Sequence, residues 1–125
     1  MEMKLELVPI PVKDVDESIA FYSEKLGFHL DHDVQPGNGM RIVQLTPPGS
    51  ACSIAFGIGI ADNANTISGI HLVVQDVAKA REMLVQNAVE VSEVQDVGGG
   101  VKYAHFADPN GNTWELQEIA PNAHL

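Results

Sequence analysis

Two residues able to handle protons, His71 and Glu115, fall in stretches that read as β-strands. In residues 68–75 the apolar Ile70, Leu72 and Val74 belong under a helix, so Gly69, His71 and Val73 face the other way. In residues 113–119 Trp114 and Leu116 pack inward, which leaves Thr113, Glu115 and Gln117 on the helix-free side. An imidazole titrating near neutrality beside a carboxylate that orients it is an acid–base pair. The same two groups serve equally as a hydrogen-bonded polar couple on a wet surface, which is the commoner role. Whether Tyr103 and His105 join them depends on the turn at Asp108-Pro109-Asn110-Gly111-Asn112. A five-residue loop sets residue 105 opposite 115 and brings both in, whereas a four-residue loop turns them away.

The first half supplies a more apolar lining. Val8, Ile10 and Val12 face inward, and Leu5, Leu7 and Pro9 share the outward side with Ser53 and Ala55. With the five-residue loop, a repeat of the second half's pattern adds Arg41 and Val43, and a four-residue loop turns them away as well. Such a mixed surface suits a modest organic molecule with one polar or cationic end, held by Glu115. Cys52 and Trp114 have inward parity and are expected in the core. A buried thiol without a cationic neighbour is inert, so Cys52 is no nucleophile. Phe21 and Tyr22 read as core or interface residues, and His29 and His32 as surface residues.

The elements that must position these groups come twice. Each half reads β-α-β-β-β, with Asp14 and Asp76 as helix caps and Gly27 closing the first helix. Val12-Lys13-Asp14-Val15 matches Val74-Gln75-Asp76-Val77 at a spacing of 62 residues. Gly37 and Gly99, Pro47 and Pro109, and Gly49 and Gly111 share that spacing. The apolar pattern of the second strand slips by one residue between the halves. We read an internal duplication, with module one at 1–58, a polar linker at 59–67, module two at 68–120 and a tail at 121–125.

Composition narrows the partners. A net charge of −10 with only seven Lys and Arg argues against nucleic acid, whose phosphates need cations. Apolar runs are too short to span a membrane, and the charged start is unlike a secretory signal. A single cysteine fits a reducing compartment, so the expected location is the cytoplasm. No nucleotide-binding glycine loop or nucleophile motif is present.

Residues Pro11 to Tyr22, with Leu26-Gly27-Phe28, resemble the opening of a vicinal oxygen chelate module, and Asp108 to Leu116 resembles its closing hairpin. That superfamily contains glyoxalase I, bleomycin-resistance proteins and extradiol dioxygenases. The resemblance covers nearly the whole chain. It implies an α+β fold of two tandem βαβββ modules forming a partly closed mixed sheet around a concave cleft, helices outside, and a homodimer. It also implies four metal-ligand positions, which fall here on Leu7, Ser53, Gly69 and Glu115. Only Glu115 is a donor, and His71 lies two residues from Gly69 on the same face. Glu115 and His71 are therefore a weak, incomplete metal site, since a stable one needs three or four donors. The expectation is a protein that binds a small organic molecule in the cleft without a tightly held cofactor. Its ligand contacts would include Leu7, Pro9, Arg41, Ser53, Tyr103, His105 and Gln117. The alternative is a lyase, isomerase or dioxygenase of the same superfamily, using a divalent metal or His71 and Glu115 themselves.

Overall fold

The computed structural model describes residues 1–61 and 64–119. Two positions of the expected linker and the expected tail, with residue 120, lie outside them. The chain divides into two compact units, Met1–Thr66 and Ile67–Leu125. In the first, β1 (Leu7–Pro9) leads into α1 (Val15–Ala20), which continues as a π-helical turn (Phe21–Lys25). Strands β2 (His29–Gly37), β3 (Met40–Thr46) and β4 (Ser53–Ile58) follow. The second unit has β5 (Ile70–Val74), α2 (Val77–Gln86), β6 (Gln95–Gly98), β7 (Val101–Ala107) and β8 (Thr113–Ile119). Each unit is thus βαβββ, and the fold is α+β as the sequence implies.

Each sheet is open and mixed. The strand orders are β1-β4-β3-β2 and β5-β8-β7-β6, with first and last strands parallel and the rest antiparallel. Asp14 caps α1 by accepting from the Glu17 N–H at 3.0 Å, and Asp76 caps α2 by accepting from Lys79 N–H at 3.1 Å. Each carboxylate satisfies a donor that the first helical turn cannot. One core gathers Ile10, Tyr22, Phe28, Val43, Leu45 and Phe56 under the first sheet, with the Tyr22 ring 5.6 Å from Phe28 and 5.9 Å from Phe56. The other gathers Val77, Leu84, Val89, Phe106, Trp114 and Leu116, with Phe106 stacked on Trp114 at 6.2 Å. Phe21, Tyr22 and Trp114 are buried, while Cys52 is only half-buried.

The two units share topology but do not keep one spacing. Asp14 and Asp76, which start the helices, are 62 residues apart. The left-handed residues that end the helical segments are Gly27 (φ 77°) and Ala88 (φ 63°), 61 apart. The difference is the π-helical turn, where Leu26 N–H bonds to Phe21 O and one extra residue is absorbed. This explains the slip in the second-strand pattern: Phe28 corresponds to Val89, both buried. The two-residue hairpin turns are Asn38-Gly39 and Gly99-Gly100, again 61 apart and all at positive φ, as a type I′ turn requires. The expected match of Gly37 with Gly99 is therefore corrected to Gly37 with Gly98. The β3–β4 connection holds one residue more than the β7–β8 loop, because Leu45 pairs Ile54 and Phe106 pairs Trp114. From there the spacing is 60, and the expected matches of Pro47 with Pro109 and Gly49 with Gly111 are out of register.

Candidate functional site

The β7–β8 loop is five residues long, since Ala107 pairs Thr113. Of the two expected registers, it selects the one with His105 opposite Glu115 and Tyr103 opposite Gln117. Across the parallel ladder His71 pairs Glu115 and Val73 pairs Gln117. Paired residues share a face. Three strands therefore place His71, Tyr103, His105, Glu115 and Gln117 together on the side of the second sheet opposite Trp114 and Leu116.

Their contacts fix the geometry. His71 Nδ1 lies 2.7 Å from Gln117 Oε1. The His71 ring stands perpendicular to Tyr103, with centroids 5.8 Å apart. His105 Nδ1 is 4.0 Å from Glu115 Oε2, an ion pair only when the imidazole is protonated. Gln117 is buried, while His71 and His105 are exposed and Glu115 is half-exposed. A depression of about 350 Å³ is lined by Gly69, His71, Gln95, Tyr103, His105 and Glu115. A second one, of about 540 Å³, shares His105 and Glu115 and extends toward Glu90, Val91 and Ser92.

The helix-free face of the first sheet is different. Leu7 pairs Ser53 and Pro9 pairs Ala55 across the parallel ladder, on the expected side. Arg41 is not with them. It pairs Ile58 and shares the side of buried Val43, where its guanidinium forks onto Asp33 at 2.9 Å twice and reaches Asp16 on α1 at 3.0 Å. The expectation for Arg41 and Val43 came from a constant spacing of 62, and the one extra residue of the π-helical turn reverses their parity. The register partners of Tyr103 and His105 are Ile42 and Gln44, and that of Glu115 is Ala55, not Ser53.

A polar group on this face escaped the sequence reading. Thr46 donates to Asp31 and lies 2.6 Å from Ser53 Oγ, while Gln44 Nε2 lies 3.3 Å from Ser53 Oγ and 3.4 Å from Asp31 Oδ2. His29 adds a contact of 2.8 Å to Asp31. Asp31 is the extra residue of a bulge between Leu30 and His32, which aims it at this side. The alternation of Gln44 and Thr46 with buried Val43 and Leu45 was the available signal.

These bonds set carboxylate acidity. The Thr46 hydroxyl, followed by His29, holds Asp31 below its ordinary value, and the Arg41 fork does the same for Asp33. Arg41 is in turn held more firmly protonated, chiefly by Asp33. A depressed carboxylate stabilises the fold fully above its unfolded value of 3.8 and loses that contribution as pH falls through the lower folded value. Melting temperature should therefore hold steady from pH 7 to about 5 and fall below about 4. In Asp33→Asn that acid-driven fall should be shallower; an unchanged fall would show that the Arg41 fork adds no stability.

Metal fits this face poorly. Among the described residues no three His, Cys, Asp or Glu side chains come close enough to hold an ion. In the first unit Pro9 and Ala55 stand where His71 and Glu115 stand in the second, and neither is a donor. Among the described residues no helix is long and apolar enough to cross a membrane.

The chain belongs to the glyoxalase/bleomycin resistance protein/dioxygenase superfamily, whose model matches residues 4–116. It is similar to TnmS3, an antibiotic binding protein from Streptomyces sp. CB03234, at 28% identity and TM-score 0.83, covering 95% of this chain and 98% of that one. A glyoxalase/bleomycin resistance protein from the same organism is 29% identical with TM-score 0.77, covering 92% and 100%. A superfamily member from Sphaerobacter thermophilus DSM 20745 is 27% identical with TM-score 0.82, covering 94% and 98%. No curated protein matches the sequence.

Proposed function

We propose that this protein binds a small organic molecule on the helix-free face of its second sheet and does so without a tightly held metal. The observation that carries the reading is the convergence of His71, Tyr103, His105 and Glu115 on one depression of about 350 Å³. The likeness to TnmS3, described as antibiotic binding, supports it. In this reading Glu115 anchors the polar or cationic end of the ligand, and Tyr103 offers an aromatic surface. The protein works as a cytoplasmic homodimer; the resemblance and the prevalence of two-fold dimers support the assembly, and lone Cys52 supports the compartment.

A second reading makes the face catalytic, as a lyase, isomerase or dioxygenase. The 4.0 Å approach of His105 to Glu115 favours it, since a histidine beside a carboxylate can serve as a general acid or base. Binding and turnover separate on incubation, because a bound molecule is recovered unchanged and a substrate is not.

The test is a thermal-shift screen of small organic molecules against wild type and Glu115→Gln. A charged hydrogen bond contributes about 1.5–3 kcal/mol, so the neutral variant should bind a hit at least about tenfold more weakly. Hits that stabilise both proteins equally would place the ligand elsewhere.

A further inference from the structure

We infer that Gln117 is a positioning residue that fixes the tautomer of His71, making the site a hydrogen-bond acceptor for ligands carrying a hydroxyl, phenol or ammonium group. The inference deepens the binding reading and rests on it for the ligand class, although the tautomer itself is observable without any ligand.

Gln117 is 5% exposed, and it reaches His71 on the neighbouring strand β5 with its amide oxygen, 2.7 Å from Nδ1. An amide oxygen only accepts, so with the Gln117 amide oriented this way the proton of the neutral imidazole sits on Nδ1. The free imidazole of histidine prefers its proton on Nε2, and here the partner reverses that preference. Nε2 is left with a bare lone pair on an exposed ring. Tyr103 meets the ring edge-on, perpendicular to it at 5.8 Å.

Glu115 is the register partner of His71 and presents carboxylate oxygens, which accept and never donate when ionised. His105 stands beside it. The lining of Gly69, His71, Gln95, Tyr103, His105 and Glu115 contains no Lys or Arg. A carboxylate or phosphate ligand would meet Glu115 with no fixed cation to offset the repulsion. A donor group would find Nε2 of His71 and the Glu115 oxygens on adjacent strands.

The experiment is nitrogen NMR of the histidine rings in ¹⁵N-labelled protein, at a pH where His71 is neutral. His71 should show a pyrrole-type Nδ1 and a pyridine-type Nε2. In Gln117→Leu, which removes the acceptor, the pattern should revert to protonated Nε2. Gln117→Glu keeps an acceptor and should keep the wild-type pattern, which covers the case in which the leucine variant fails to fold. A wild-type His71 protonated on Nε2 would overturn the inference, as would an unchanged pattern in folded Gln117→Leu. Phenol and anisole then test the ligand class. Phenol should move the His71 Nε2 resonance in the direction of hydrogen bonding, and anisole, lacking the O–H, should not. No response to phenol, or an equal response to both, would reject the donor class while leaving the tautomer result intact.

Discussion

Gly57→Ala should leave the first unit unable to fold. A Cβ at this position would sit 1.8 Å from the Arg41 carbonyl oxygen and 2.7 Å from its carbon, with φ at 152°. Both obstacles are backbone, in the strand that β4 must pair with, so no side-chain rotation relieves them. Separating the strands would break the β3–β4 ladder and displace Val43 and Phe56, both fully buried. We expect a loss above about 4 kcal/mol, a large part of the stability of an ordinary domain. Circular dichroism and proteolysis of purified Gly57→Ala provide the check. A cooperative melt within a few degrees of wild type would show that β3 and β4 are not paired as described.

Asp108→Ala should cost about 3–5 kcal/mol, through the loss of three hydrogen bonds to one buried carboxylate. Asp108 is 5% exposed, and its carboxylate accepts from the N–H groups of Asn110 and Asn112 and from Asn112 Nδ2, each at 2.9 Å. Asn112, with no exposed surface, uses its own side-chain oxygen to hold the Ile67 N–H at 2.9 Å, and Thr113 N–H bonds back to Ile67 O. The loop thus ties the segment entering β5 to the start of β8, the two strands that carry His71 and Glu115. Alanine would remove the acceptor of all three bonds at once. Asp108→Asn should also destabilise, because one oxygen becomes an NH₂ facing another donor. Urea denaturation of both variants measures the effect. Losses below about 1 kcal/mol would mean that water replaces the carboxylate without penalty.

The sequence was most legible where backbone geometry restricts residue type. Asp14 and Asp76 could be read as caps because a carboxylate before an apolar period has few other uses. Trp114, Glu115 and Leu116 gave the faces of β8 by alternation alone, and the structure keeps them. The illegible part was register. The π-helical turn at Phe21–Lys25 absorbs a residue within a run of ordinary helical side chains, so nothing in their types marks it. The bulge at Asp31 and the longer β3–β4 connection are similarly silent. Each shifts parity by one, which moves a side chain to the opposite face of a sheet. Arg41 was misplaced for that reason and Thr46 was missed for it, whereas the second unit, read from its own alternation, came out with His71 and Glu115 together.

The proposed binding places a small organic molecule at His71, His105 and Glu115 on the helix-free face. The most direct measurement is amide chemical-shift mapping with a molecule that stabilises the wild-type protein in the thermal-shift screen. Shifts should concentrate at Gly69, His71, Tyr103, His105 and Glu115, leave Val77 and Leu84 of α2 unmoved, and shrink strongly in Glu115→Gln at the same concentration. Shifts centred on α2, or an unchanged map in Glu115→Gln, would contradict the account.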